Sequence, residues 1–306
     1  MKFSRRIEEV PPYLFVEISK KIAQRRAEGA DVVTFAIGDP DIPTPANILD
    51  KLFEASQDPP NHRYPESEGL PQLRKSIAGW YGKRFGVDLD PDKEVLPLIG
   101  AKEGIGHAAF CFIDPGDIAL VPDPGYPVYS IGTLFAGGDC HWMPLSEDKG
   151  WLPDLNAIPN GVADKAKALW LNYPNNPTGV IISKINLLKI VTSAKKKSSI
   201  VFIDETFIEL VPDYDESVIS YVKKYDNLFI LRSLTKSFGL PGIRIGYACG
   251  SKEIIKILQK IKIPWSVNSI AQDAANEVIK NKSHITKSNF IIKKELKYLN
   301  KLISSI

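Results

Sequence analysis

The sequence predicts an α/β fold, a three-layer α/β/α domain around a mostly parallel sheet. Two observations carry that prediction. Short apolar runs of strand length alternate along the chain with longer amphipathic stretches of helical length, the pattern of a sheet buried on both faces. Five of these runs also end in polar residues capable of chemistry. Ligands of open parallel sheets bind beyond the carboxyl ends of the strands, so five such ends predict one site. A chain of 306 residues can bury a sizeable core, and 44% hydrophobic with 25% charged residues is a globular rather than a disordered composition.

The elements follow in chain order. Residues 95–99 run into Gly100, Ala101, Lys102, Glu103 and Gly104, then into a helix-like stretch. A strand, a glycine turn and a helix N-terminus present free backbone N–H groups and the positive end of a dipole, which suits an anion. The segment matches neither GxxxxGK[ST] nor GxGxxG. Residues 118–121 lead into Pro122, Asp123, Pro124, Gly125 and Tyr126, where the tyrosine can stack on a ring. Residues 168–171 lead into a turn rich in Asn and Pro, where Asn176 can donate to a phenolic oxygen. Residues 200–203 end in Asp204, a carboxylate costly to bury without a cation; a protonated pyridine nitrogen is such a partner. Residues 228–231 lead through Ser233 and Thr235 to Lys236, with Arg244 eight positions on. A partly desolvated lysine is a nucleophilic amine suited to Schiff-base chemistry, and arginine with serine can hold a phosphate. A Schiff-base lysine, a phosphate cradle, a pyridinium partner and a stacking aromatic specify pyridoxal 5'-phosphate.

Other chemistries find less support. Cys111, Cys140 and Cys249 are too scattered for a disulfide framework, and four histidines without ligand spacing argue against a metal site. No run approaches the roughly 20 apolar residues of a membrane span, and the first residues lack a signal-peptide apolar run, so a cytoplasmic location is expected. The net charge of +3 conceals an asymmetry: residues 1–179 carry 18 Lys and Arg against 25 Asp and Glu, and residues 180–306 carry 21 against 11. The lysines of the basic half (Lys252, Lys256 and Lys260 among them) are dispersed and lack interleaved aromatics, which reads as solvated helix faces and not as a nucleic-acid surface. The shift marks a seam just after Gly179.

The motifs GAKEG, PDPGYP, NYPNNPTG, DET and SLTKSFGLPGIRIGY, in this order and spacing, resemble fold-type-I aminotransferases of classes I and II over essentially the whole chain. Residues 1–179 resemble bacterial LL-diaminopimelate aminotransferases through PPYLFVEI, IGDPDIPTP, HRYPESEGLPQLR and LNYPNNPTG. Residues 180–306 are more similar to histidinol-phosphate aminotransferases and threonine-phosphate decarboxylases, through FIDETFIEL, SLTKSFGLPGIRIGY and PWSVNSIAQ. That split coincides with the seam, so a chimera joined at NPTG is one reading.

The resemblance implies an N-terminal arm and small-domain segment over 1–46, a pyridoxal-phosphate-binding large domain over 47–275, and the start of a truncated C-terminal small domain over 276–306. It implies Lys236 as the cofactor lysine and proton shuttle, Asp204 as partner of the pyridine nitrogen, Asn176 of the ring oxygen, and Tyr126 as the stacking ring. Ala101, Lys102, Ser233, Thr235 and Arg244 would line the phosphate region. Tyr64 would reach the phosphate of a neighbouring subunit, hence a homodimer with shared sites. Tyr13, Gly38, Lys102, Tyr126, Asn176 and Asn268 would face substrate; structural alternatives are packing for Tyr13, a tight turn for Gly38 and a helix cap for Asn268.

The implied activity is amino-group transfer between an amino acid, LL-diaminopimelate or a relative of it, and a 2-oxo acid, within lysine biosynthesis. Its alternatives are decarboxylation of a phosphorylated amino acid, transamination of histidinol phosphate, or a cofactor-binding scaffold with impaired catalysis. Two departures bear on that choice. Relatives carry a tyrosine where this chain has Phe207, which cannot bond the ring oxygen. The sequence also stops 70 residues after Lys236, short of the family's carboxylate-binding arginine, so impaired transamination with retained cofactor binding is expected.

Overall fold

In the computed structural model all five apolar runs form strands, and two further strands join them. The structure describes residues 4–35, 38–212, 217–280 and 283–305. The strands are β1 (Val95–Leu98), β2 (Ile118–Asp123), β3 (Asp139–Pro144), β4 (Ala166–Asn172), β5 (Ile200–Asp204), β6 (Leu228–Ser233) and β7 (Gly246–Gly250). They form one sheet in the order β1-β7-β6-β5-β4-β2-β3. Strand β7 is antiparallel to both of its neighbours, and the other pairs are parallel. Strands β1, β2, β4, β5 and β6 therefore leave the sheet at one edge, where β7 begins. The two strands absent from the sequence reading have ordinary causes. β3 is an edge strand buried only at Met143, and β7 is a short stretch bounded by glycines that reads as a turn.

Alternation along the strands fills two apolar layers. Leu169, Leu171, Val201, Ile203, Leu228 and Ile230 face one layer, while Ala168, Trp170, Phe202, Phe229 and Leu231 face the other. The second layer holds a pile of rings: Tyr129 stacks on Trp170 at 5.1 Å between centroids, Trp170 stacks on Phe202 at 4.4 Å, and Phe229 meets Phe202 edge-on at 5.5 Å. Truncating Trp170, which is fully buried, would cost on the order of 3–5 kcal/mol.

The chain divides into two units, Met1–Ile42 and Pro43–Ile306. The smaller contains α1 (Arg5–Glu9) and α2 (Leu14–Ala27), the latter with no buried residue. The larger contains α3 (Ala46–Gln57), α4 (Pro71–Phe85), α5 (Ala101–Phe112), α6 (Val128–Ala136), α7 (Asn160–Ala163), α8 (Lys184–Lys196), α9 (Leu234–Ser237), α10 (Lys252–Ile261), α11 (Ser269–Lys280) and α12 (Ser283–Ile303). Helices start and stop where the sequence provides caps. Ser183 and Ser251 accept backbone N–H groups at the heads of α8 and α10, and Gly86, at φ +66°, closes α4.

A half-buried polar pair on α5 is expected to make stability depend on pH. His107 Nδ1 lies 3.8 Å from Glu103 Oε1, and Lys262 adds positive charge nearby. Burial lowers the His107 pKa from its ordinary 6.5, against the pull of Glu103. The unfolded chain then binds this proton more readily than the folded one, so stability is full above about pH 6.5 and falls as pH drops through that value. Urea midpoints at pH 7.5 and 5.5 should show the loss, and His107→Gln should flatten it.

Candidate active site

The phosphate-side elements meet where β1 ends. Gly100, at φ +117°, precedes α5, and a Cβ placed there would lie 3.1 Å from Arg244 Nη2. Arg244, exposed and held at φ +63°, donates from Nη1 to Pro241 O at 2.8 Å and from Nη2 to Ile99 O at 3.4 Å. Its guanidinium thus lies beside Ile99 and Gly100, the residues that lead into a 12-residue helix. A side chain on Gly246 would meet Ala101 N at 3.0 Å and Arg232 O at 2.8 Å, so only glycine lets β7 pass this close. Ala101 is buried at the helix start and Lys102 is exposed beside it.

Strand β6 delivers the lysine. Ser233 caps α9, its Oγ accepting the Thr235 N–H at 3.3 Å and lying 2.6 Å from Thr235 Oγ1. Lys236 is half-buried within that turn.

Strand β5 delivers the acid. Asp204 is 6% exposed. Tyr129 Oη donates to its Oδ2 at 3.0 Å, and Thr206 donates to its Oδ1 from N at 3.0 Å and from Oγ1 at 2.5 Å. All three donors are neutral, and among the described residues no cation pairs with this carboxylate. Burial raises its pKa, and the Thr206 and Tyr129 bonds only partly offset that.

Asn172 ties the acid to the Asn-rich turn. It pairs in register with Asp204, donates from Nδ2 to Asp204 O at 2.9 Å, and accepts the Asn176 N–H on Oδ1 at 2.7 Å. Asn175 closes the turn by accepting from Thr178 N and Oγ1 at 3.2 and 2.7 Å. Asn176 itself is half-buried. Tyr126, also half-buried after β2, lies 5.5 Å from Lys102 Nζ and meets Tyr129 edge-on at 5.8 Å.

Lys236, Asp204, Asn176, Tyr126, Ala101, Lys102, Ser233, Thr235 and Arg244 thus stand at one edge of the sheet. Tyr64 is 80% exposed and stacks on Trp265 at 4.6 Å. Asn268 Oδ1 accepts the Ala271 N–H at 2.7 Å at the head of α11, the helix-cap geometry weighed for it above. Tyr13 and Gly38 belong to the smaller unit, where Tyr13 packs on Phe15 at 5.4 Å and Gly38 is exposed. Phe207 is half-buried and opens the helical turn at Ile208–Leu210. Sequence reasoning missed Tyr129, Asn172 and Thr206. Thr206 two places after the acid was the one readable signal, since a hydroxyl there can bond back to a carboxylate.

Tyr129→Phe removes one of Asp204's three donors and makes its anion dearer. A bond to a charged acceptor contributes about 1.5–3 kcal/mol, so affinity for a cation on Asp204 should fall about tenfold or more. Cofactor titration of the variant checks this.

The residues fit pyridoxal phosphate on two counts. The buried acid Asp204, bonded only by neutral donors, suits a protonated ring nitrogen, and Arg244, beside Gly100 at the head of α5, suits a phosphate.

Comparison with known proteins agrees. The model of the family "Aminotransferase class I and II" matches residues 30–306. An LL-diaminopimelate aminotransferase of Dehalococcoides mccartyi is 51% identical over 285 residues, covering 90% of this chain and 73% of that protein. Its counterpart in Moorella thermoacetica is 48% identical over 264 residues, covering 86% and 68%. Among solved structures, apo-BacF of Bacillus subtilis superposes with a TM-score of 0.92 at 30% identity, covering 100% of this chain and 79% of that one. A probable N-succinyldiaminopimelate aminotransferase of Thermus thermophilus gives 0.84 at 32%, covering 90% and 76%.

Fold and site together define a pyridoxal-phosphate-dependent transferase. The chain belongs to the class I and II aminotransferases and is a pyridoxal-phosphate-dependent aminotransferase. A likeness covering 90% of the chain crosses the compositional seam after Gly179, so one continuous relationship accounts for both sides and no joining of two proteins is needed.

Proposed function

We propose that this aminotransferase acts on LL-diaminopimelate, with a 2-oxo acid as the other partner, in lysine biosynthesis. The reading is carried by the 51% identity to a protein of that activity across both sides of the site. Bound pyridoxal phosphate supplies an electron sink for the charge that develops at the substrate's α-carbon. Asp204, held by Tyr129 and Thr206, keeps the ring nitrogen protonated, and Asn176 donates to the ring oxygen. Tyr126 stacks on the ring. Arg244, Ser233, Thr235, Lys102 and the backbone at Ala101 hold the phosphate. Lys236 Nζ would anchor the cofactor, and its amine would be the base that takes and carries the substrate's α-proton.

Tyr13, Gly38, Lys102, Tyr126, Asn176 and Asn268 line the substrate side in this reading. Tyr64, almost wholly exposed, completes the phosphate site of a second copy, and the enzyme is a cytoplasmic homodimer. Residues 1–46 form the arm and first small-domain segment, 47–275 the large domain, and 276–306 open the rest of the small domain. No helix among the described residues is long and apolar enough to cross a membrane.

The test is an amino-donor panel with purified protein, pyridoxal phosphate and a 2-oxo acid. LL-diaminopimelate should be the preferred donor, above its meso isomer, its N-succinyl derivative and aspartate. Preference for the N-succinyl compound or for aspartate would refute the assignment while leaving the family intact.

A further inference from the structure

Beneath the site lies a buried charged junction that the reaction does not itself use. Arg232, the penultimate residue of β6, is 3% exposed. Its Nη2 pairs with Glu205 Oε2 at 2.7 Å and its Nη1 with Glu209 Oε1 at 2.7 Å. Glu205, 1% exposed, directly follows Asp204 and also accepts from Ser217 Oγ at 2.9 Å and Val218 N at 3.3 Å. Arg84 pairs with the other oxygen of Glu209, and the Arg232 guanidinium lies 5.9 and 5.8 Å from the rings of Trp80 and Tyr81.

Stability alone gives little reason for such a cluster, because well-packed apolar residues of similar volume do as well as buried ion pairs or better. Its placement supplies a reason. The Glu205 N–H bond to Leu231 O, at 3.0 Å, is the last rung between β5 and β6. Past it one chain turns into residues 206–210 and the other into the turn that carries Lys236. The Arg232–Glu205 pair joins them where the ladder ends, one residue beyond Asp204 and one before Ser233. The remaining donor, Arg232 Nε, and Ser237 Oγ are both buried with no partner among the described residues. Both side chains line a cavity of about 20 Å³, room for a single water. A water seated there would tie Arg232 to the residue next to Lys236.

We propose that Arg232 is a positioning residue, which through Glu205 and one internal water shared with Ser237 sets the separation of the Asp204 carboxylate and the Lys236 amine. The proposal rests on the roles of Asp204 and Lys236 given above. A cofactor held at both ends is sensitive to that spacing, because each attachment strains the other when the spacing is wrong.

The test measures three quantities on the full chain: the Kd for pyridoxal phosphate, the pH midpoint of the visible band of the loaded protein, and the urea midpoint of the unloaded protein. Arg232→Lys and Glu205→Gln should each raise Kd about tenfold or more and shift the band's pH midpoint. The double variant Arg232→Met with Glu205→Gln keeps volume and leaves Glu209 paired to Arg84. It should unfold near the wild-type urea concentration yet bind cofactor as weakly as the single variants. A folded variant with wild-type Kd and band midpoint overturns the proposal. A double variant that fails to fold overturns it too, since Arg232 is then a structural residue. A crystal map should show one water between Arg232 and Ser237, and a dry cavity removes the link to Lys236 and the proposal with it. Wild-type protein that binds no cofactor refutes the site assignment instead, a distinguishable result.

Discussion

Lys236→Ala protein, mixed with pyridoxal phosphate, is expected to lack the visible band that borohydride bleaches in the wild type. Turnover should fall on the order of 10⁴-fold or more, because in the proposed mechanism the substitution removes both the covalent anchor and the proton carrier. Folding should hardly change. The side chain is half-buried in a four-residue turn whose cap bonds come from Ser233 and the backbone, and substitutions of that kind usually cost little. Thermal unfolding of the cofactor-free variant within a few degrees of wild type, with band and activity both gone, is the expected pair. A variant that keeps the bleachable band would show that another lysine anchors the cofactor.

Asp204→Asn separates what the acid costs from what it contributes. Burial raises the folded-state pKa of Asp204 above its unfolded value. The folded protein therefore binds this proton more readily, and that contribution to stability is lost as pH rises through the folded value. Asparagine has the same shape without the charge, and the Tyr129 hydroxyl can turn to accept from its amide. Cofactor-free Asp204→Asn protein should thus be at least as stable as wild type at pH 8, with a flatter pH dependence from about pH 4, near the ordinary value, up to 8. Its catalysis should fall at least about a hundredfold, since breaking a buried charge pair costs about 3–5 kcal/mol. Single-turnover rates beside urea midpoints at the two pH values check both halves. A rate close to wild type would mean that the ring nitrogen finds its partner elsewhere.

The acid and the lysine were legible in the sequence because each breaks a local rule. A carboxylate ending a run of Ile, Val and Phe has to be accounted for by a cation, and a lysine flanked by hydroxyls after a buried strand does not look like surface. The fold class was legible for a related reason, since strands buried on both faces leave continuous apolar runs. What stayed hidden obeys the rules. Tyr129 sits inside an ordinary apolar helix, VYSIGTLFA, and only the packing of α6 against the sheet brings its hydroxyl to Asp204. Asn172 reads as the first residue of a turn, although it is the last of β4 and bonds both Asp204 and Asn176. Arg232 follows the apolar run of β6 one residue before its end, and its partners Glu205 and Glu209 lie beyond β5, where nothing local ties them to it. The lysine-rich second segment suggested a seam between two proteins for the opposite reason: surface composition drifts freely where only solvation is at stake.

The reversed direction of β7 has a consequence for how the site comes apart. Ser233 and Gly246 face each other across the β6–β7 ladder, and Leu234 N bonds Ile245 O at 3.3 Å. Everything from Lys236 to Arg244 is therefore one loop pinched shut at its base. If that base frays, Lys236 and Arg244 are released together, whereas the strands beneath stay protected. Amide exchange in this loop should then rise as a single cooperative unit when cofactor leaves, well below the free energy of global unfolding. Cofactor loss and local opening would then be one event, and the protein's working lifetime would follow the stability of a dozen or so residues rather than that of its core.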